Sequence, residues 1–382
     1  MAGKRKRLAQ RRKTCGHSQE TFAQALGVDR TTVQRWERGD VGPQPHQRPR
    51  IAKLLQVDSE ELDALLAPDT PELPALNGNR GEGLALTIRE TSQRLVVLDN
   101  ELNGLPIADV AAQSFKKVHR RLGAGDYDLK AEHDIQAAAA ELAEVAGWAL
   151  FDAEKHAPAR RFNQEALFLA KLSGDRSIEL LIMQNMAMLA GWTGRPREEL
   201  AIARSIIEQG RISPRIEAIF RVREAKGLAG SGQESEAARS FDRARSLLQD
   251  SERNSDPVWA WWVTTDEIDG HQGFAFQESG QWKKGIPHLQ RAVRQEAGAQ
   301  VGYRAISAVR LLRCLLGVHA WRDAEGLAES IIPAVSETSS ARTLSLLNRT
   351  AQAGKSIKAA PRNLRDALDH IESAINEDPY QI

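Results

Sequence analysis

The segment Arg30-Thr-Thr-Val-Gln-Arg35 carries the most specific chemistry in the chain. If it is helical, Arg30, Thr31, Gln34 and Arg35 share one face, because residues three and four apart are neighbours on a helix, and Val33 and Trp36 lie opposite. An arginine guanidinium can grip guanine through two hydrogen bonds, and a glutamine amide can do the same with adenine. A threonine methyl can pack on that of thymine. Side chains of these types on one short helix suit the base edges of a major groove. Lys4, Arg5, Arg7, Lys13, Arg48 and Arg50 surround that helix in sequence. They suit phosphate, which positions a protein on a duplex without carrying sequence information. The run Lys4-Arg-Lys-Arg7 taken alone suits a solvated tail as well as an arm entering the minor groove.

The net charge of +1 conceals where these residues lie. Residues 1–53 hold thirteen basic and four acidic side chains, whereas the remainder holds 39 basic against 47 acidic. A basic end on an acidic body is the asymmetry expected of a nucleic-acid-binding module joined to something else. At 382 residues the chain has room for two or three domains, and 41% hydrophobic content is enough to form cores.

Five short helices are predicted around the basic face. The first covers about 4–13. The second follows the cap Ser18 and turns Phe22, Ala23 and Leu26 to one side. Gly27-Val-Asp29 makes a tight turn into the third, Arg30 to Arg38, which stops at Gly39. A fourth near 46–56 offers Ile51, Leu54 and Leu55, and a fifth after Ser59 offers Leu62, Leu65 and Leu66. Two short helices, a turn with glycine and a helix with a polar outer face make a helix-turn-helix. Over residues 4–66 the spacing and residue types resemble the XRE family of lambda-repressor-like regulators. That resemblance implies that Gln19 anchors phosphate and supports base reading, and that Arg12 and Glu37 form a buried ion pair linking the first and third helices. Helical hairpins of this pattern also serve protein contact, but the polar and basic outer face favours DNA.

Residues 67–83 contain three prolines and three glycines in seventeen positions, which resists regular structure and is expected to be a linker. Beyond it, residues 84–382 again show apolar residues three and four apart, with no stretch alternating like a strand, so the expected fold is all-α. Helices near 85–101 and 106–122 precede loosely similar hairpins. Gly147, Ala225 and Gly273 are each followed twelve residues later by Ala159, Ala237 and Gly285, and turn glycines stand at Gly232 and Gly280. Small residues where two helices cross let a helix pair close. The pattern resembles the tetratricopeptide repeat and predicts an α-solenoid over about 130–375, with the stretches around Ala187 and Leu312 fitting less well.

Nothing in residues 84–382 resembles a catalytic site. No glycine-rich phosphate loop, metal-ligand spacing or nucleophile elbow occurs, so no catalytic residue, cofactor or metal is expected. Cys15 and Cys314 stand at opposite ends and suggest no disulfide. No apolar run is long enough to span a bilayer and no signal core follows the basic start, so a cytoplasmic protein without a membrane partner is expected.

An XRE-like helix-turn-helix joined to a tetratricopeptide-like domain resembles the RRNPP class of bacterial peptide-sensing regulators. The combination implies a transcription regulator that binds double-stranded DNA, expected at an inverted-repeat operator, as a homodimer, with a peptide or small-molecule effector. In the repeat resemblance Trp148, Phe151, Gln184, Phe274 and Gln277 face the concave groove, with Asn185 beside them. Trp262 belongs to the cluster Trp259, Trp261 and Trp262, for which interhelix packing and ligand lining both stand open, and Arg221 and Arg223 would suit an anionic group or surface ion pairs. The alternative is a protein-interaction scaffold with an accessory DNA-binding module.

Overall fold

Local chemistry sets the boundaries of the first helices. Ser18 Oγ accepts from the Thr21 backbone N–H at 3.0 Å, and Thr21 Oγ1 accepts from the Ser18 backbone N–H at 2.8 Å. This reciprocal cap starts α2, Gln19–Leu26, and Gly27 ends it in the left-handed conformation at φ 73°. The other elements of this unit are α1 (Lys6–Thr14), α3 (Arg30–Arg38), α4 (Arg48–Leu55) and α5 (Ser59–Leu66). Leu8, Phe22, Leu26, Val33, Trp36, Ile51, Leu55, Leu62 and Leu66 close into one apolar core of their own.

The computed structural model describes residues 5–38, 41–44, 47–66, 80–101, 107–249, 256–294, 301–335, 338 and 340–376, and it is helical without a strand across them. The expected linker therefore lies outside the described residues apart from 80–83, as do Lys4 and Gly39.

Downstream, α6 (Glu82–Glu101) and α7 (Ile107–Gly123) both pack on α8 (Glu132–Asp152). Six antiparallel hairpins follow among the described residues: α8 with α9 (His156–Ser173), α10 (Arg176–Trp192) with α11 (Pro196–Gln209), α12 (Pro214–Gly230) with α13 (Glu234–Gln249), α14 (Thr265–Glu278) with α15 (Trp282–Val293), α16 (Val301–Gly317) with α17 (Trp321–Val335), and α18 (Ala341–Lys355) with α19 (Arg362–Asn376). The first helix of each hairpin touches the first helix of the next, and α18 returns to touch α8. The expected α-solenoid thus curves until its last inner helix meets its first and closes a ring. An inner helix lies against its own outer partner and against both inner neighbours, so it is apolar or satisfied on several sides at once.

Close approach within the ring depends on small residues, and Gly227 shows how tightly. A Cβ added there would stand 2.7 Å from the Leu200 backbone N and 2.8 Å from the Pro196 carbonyl, both fixed in α11. Alanine normally gains up to about 1 kcal/mol over glycine inside a helix. Here the clash with main chain outweighs that gain, and Gly227→Ala is expected to cost about 1–3 kcal/mol. Urea denaturation of the full chain measures it, and a variant as stable as the parent would mean that α11 yields freely.

Candidate nucleic-acid interface

The polar face of α3 rests on a buried floor. Val33 and Trp36 are sunk in the core, whereas Arg30, Thr31 and Arg35 are exposed and Gln34 is half-buried. Arg30 is held only loosely, its Nε 4.0 Å from an equally exposed Glu20 carboxylate. A pair of that kind contributes little in water and leaves the guanidinium available.

Beneath this face a single carboxylate ties three helices together. Arg12 of α1, 4% exposed, donates from Nε to Glu37 Oε1 at 2.6 Å and from Nη1 to the His17 carbonyl at 2.5 Å. The other oxygen, Glu37 Oε2, accepts from Gln19 Nε2 at 2.7 Å. Both carboxylate oxygens of Glu37 on α3 are thus occupied, one from α1 and one from α2. Gln19 reaches α3 from the amino end of α2, where backbone N–H groups and the helix dipole favour an anion. Lys13, Ser18, Gln19, Glu20, Arg30 and Glu37 line a concavity of about 560 Å³ at this place, which is open to solvent.

The basic residues assigned to phosphate divide. Lys13, Arg48 and Arg50 are exposed. Arg5 is different: its backbone N–H donates to the Glu37 carbonyl at 2.7 Å, and its Nη1 donates to the carbonyls of Trp36 at 3.0 Å and Val41 at 2.7 Å. It satisfies orphan carbonyls at the end of α3 and beyond, so this half-buried group serves the fold. Lys4 and the side chain of Arg7 lie outside the described residues. Arg11, which sequence reasoning passed over, performs a similar task on α4, donating to the carbonyls of Leu55 at 2.9 Å and Gln56 at 2.8 Å. The signal was present in the sequence only as one more arginine in a basic run.

The residues expected to line an effector groove are packed rather than exposed. Phe151, Gln184, Asn185, Phe274 and Gln277 are all buried. Asn185 Nδ2 donates to Glu144 Oε1 at 2.7 Å, Gln184 Nε2 to Asn185 Oδ1 at 2.5 Å, and Arg223 Nη2 to Gln184 Oε1 at 2.9 Å. Gln277 Oε1 accepts from Arg310 Nη1 at 2.8 Å. Among the described residues the ring closes these polar groups on one another. Arg221 pairs with Glu217 and Glu224 on its own helix at 3.1 and 2.9 Å. The tryptophan cluster forms a short 3-10 turn, Val258–Trp262. Trp259 and Trp262 pack against each other with centroids 6.4 Å apart, while Trp261 points to solvent. Trp148 remains half-buried beside Phe151, ring centroids 5.8 Å apart.

Burial sets the titration of three carboxyls inside the ring. It pushes Glu144, Glu199 and Glu267 up to about 7. His271, 3.0 Å from Glu267, is held well below its ordinary value by burial first and then by Arg223, Lys226, Arg310 and Arg342.

Together these elements define a helix-turn-helix unit followed by a ring of helical hairpins. Residues 5–65 match the family model of a helix-turn-helix domain, and the N-terminal unit is such a domain. No curated protein matches the chain. Among solved structures it is similar to Bacillus thuringiensis PlcR in complex with the peptide PapR7 and DNA, at 14% identity and a TM-score of 0.36, covering 75% of this chain and 92% of that one. No helix among the described residues is long and apolar enough to cross a membrane.

Proposed function

We propose that the chain is a cytoplasmic, sequence-specific transcription regulator in which α3 enters the major groove. Gln19, Arg30, Thr31, Gln34 and Arg35 serve base reading, and Lys13, Arg48 and Arg50 contact phosphate. The observation that carries this is the exposed polar face of α3, fixed from below by Arg12, Gln19 and Glu37. One such helix covers a half-site of a few base pairs, so useful affinity calls for two copies about 34 Å apart on one side of the duplex. Residues 1–66 form the DNA-binding domain, 67–83 the linker, and 84–382 the part that dimerises and senses an effector. In vitro selection on random duplexes tests this reading. A sharp inverted repeat supports it; recovery of no motif at any salt concentration overturns it in favour of a scaffold.

Arg35→Ala is expected to weaken binding to the selected operator by about 1–3 kcal/mol and to relax preference at one base position. Arg48→Ala is expected to weaken operator and random DNA alike and to flatten the salt dependence. Equal losses on both DNAs for Arg35→Ala would remove it from base reading.

A further inference from the structure

The ring closes where α18 meets α8, and the joint is thin. The apolar core around α8 and the one around α16 to α19 have no buried residue in common, and half-buried Trp192 packs on both. Among the described residues the joint also has polar links: Ser340 Oγ donates to Asp152 Oδ1 at 2.8 Å, and Arg349 lies 3.8 Å from Glu154. In the middle of this joint sits Arg342, 8% exposed, with its guanidinium carbon 4.5 Å from the Phe151 ring centroid, 5.0 Å from that of Trp192 and 5.6 Å from that of Trp148.

How Arg342 is held sets it apart. A guanidinium has five N–H donors, and when buried it ordinarily spends several of them on oriented acceptors. Arg310, on the same indole at 5.4 Å, donates to Gln277 at 2.8 Å and Glu278 at 3.0 Å. Arg215 donates to Asp256 at 2.7 Å and to the Val263 carbonyl at 2.6 Å. Arg342 makes an ion pair, Nε to Asp152 Oδ1 at 3.3 Å; its Nε, like that of Arg310, is buried without a hydrogen bond, but among the described residues no oriented acceptor takes its other donors. Three aromatic rings and one carboxylate around a cation form a cage of the kind that recognises guanidinium or ammonium ligands. Here the cage is filled by a side chain that fits its electrostatics but not its hydrogen bonding.

We infer that Trp148, Phe151, Trp192 and Asp152 form a binding site for the guanidinium group of an effector, and that Arg342 is its internal occupant, keeping the ring shut until displaced. Half-buried Trp148 and Trp192, with Asp152, leave the cage partly accessible from outside. A tethered occupant competes at an effective concentration in the millimolar range, so an external guanidinium binds weakly while Arg342 is present and more tightly once it is removed. Taking the cage breaks the α8 to α18 joint, which gives the ligand different affinity for closed and open rings, the condition for any effector response. The site rests on the proposal that the ring senses an effector, but its test needs no DNA, so a failure of the DNA-binding reading leaves the result interpretable.

The test uses the full chain and N-acetyl-argininamide, with N-acetyl-lysinamide as the control, read by calorimetry and tryptophan fluorescence. Arg342→Ala, shown folded by circular dichroism, is expected to bind the arginine probe at least tenfold tighter than the parent, and the added change Trp192→Leu is expected to abolish that gain. No tightening, or equal binding of the lysine probe, overturns the site. Should Arg342→Ala fail to fold, the parent decides: saturating arginine probe is expected to speed amide exchange in α18 and not in α12, and unchanged exchange in α18 overturns the proposal.

Discussion

Glu37→Ala is expected to unfold the helix-turn-helix domain and abolish operator binding, although Glu37 need touch no base. The substitution leaves Arg12 buried with its Nε unpaired and removes the acceptor that holds Gln19, both of which the carboxylate now satisfies at 2.6 and 2.7 Å. Stranding one partner of a buried pair costs about 3–5 kcal/mol. A domain of some 60 residues has little stability in reserve, so a loss of that size consumes most of it. The effect differs in kind from Arg35→Ala, where a side chain exposed on the same helix is removed and the fold should remain. Thermal melting of the full chain, with the unfolding of α1 to α3 read by amide hydrogen exchange and operator binding measured beside it, separates the two. A Glu37→Ala protein that melts with the parent would show that the pair is dispensable.

The same contrast explains how much of the site could be read in advance. The exposed face of α3 was legible because periodicity alone puts Arg30, Thr31, Gln34 and Arg35 opposite Val33 and Trp36, and the capped start at Ser18 and the turn at Gly27 frame it. The role of Arg5 was not legible. Its partners are the carbonyls of Trp36 and Val41, thirty or more residues away, and a carbonyl leaves no mark in the sequence. A basic run therefore gives the charge of its members but not which of them are spent on the fold.

In the ring, the hairpin register is more regular than the sequence suggests. Residues with positive φ end the inner helices at Glu154, Gly194, Gly232, Gly280 and His319, with φ between 58° and 81°. Only the glycines among them announce themselves, since other residues rarely take that conformation. Seven residues before each stands Gly147, Ala187, Ala225, Gly273 or Leu312, and five residues after stands Ala159, Glu199, Ala237, Gly285 or Ala324. The stretches around Ala187 and Leu312 fitted the sequence pattern less well because Glu199 and Leu312 occupy positions that are otherwise small. The structure accommodates Glu199 by placing its carboxylate against Gly191, where any Cβ would overlap it, and sets Leu312 in a hairpin with small, fully buried Ala324. Such compensation couples residues on facing helices, so a pattern read along one stretch of sequence misses it. Ring closure was equally hidden, because it depends on α18 meeting α8 across 188 residues.

Those buried carboxyls make the ring's stability depend on pH in an unusual direction. Glu144 on α8, Glu199 on α11 and Glu267 on α14 are raised from an ordinary 4.5 to about 7, first by burial, against weaker lowering by Asn185, by Lys226 and Arg223, and by Arg223 and Arg342 respectively. The folded ring therefore holds protons that the unfolded chain releases. A raised carboxyl contributes its full stabilisation below about 4.5 and loses it as pH rises to about 7, with no further change above. Each is worth about 3 kcal/mol at most, since a tenfold change in proton affinity corresponds to about 1.4 kcal/mol. Asp269 opposes the trend: burial alone would raise it, but hydrogen bonds from His288, Arg291 and Arg245 hold it well below its ordinary 3.8, so its contribution is complete above that value and is lost progressively as pH falls below it. Stability should then peak between these windows and fall by several kcal/mol from pH 5 to pH 7.5, the opposite of a protein whose carboxylates are mainly ion-paired. Neutral His271 beside Glu267 supplies no positive charge to relieve that fall, since burial, reinforced by Arg223 and Lys226, keeps it deprotonated. Glu267→Gln is therefore expected to match the parent near pH 5 and to exceed it at pH 7.5, because an amide keeps the shape and never ionises. Urea denaturation at the two pH values decides it, and a variant that is weaker at both would place the Glu267 charge among the groups that hold the ring together.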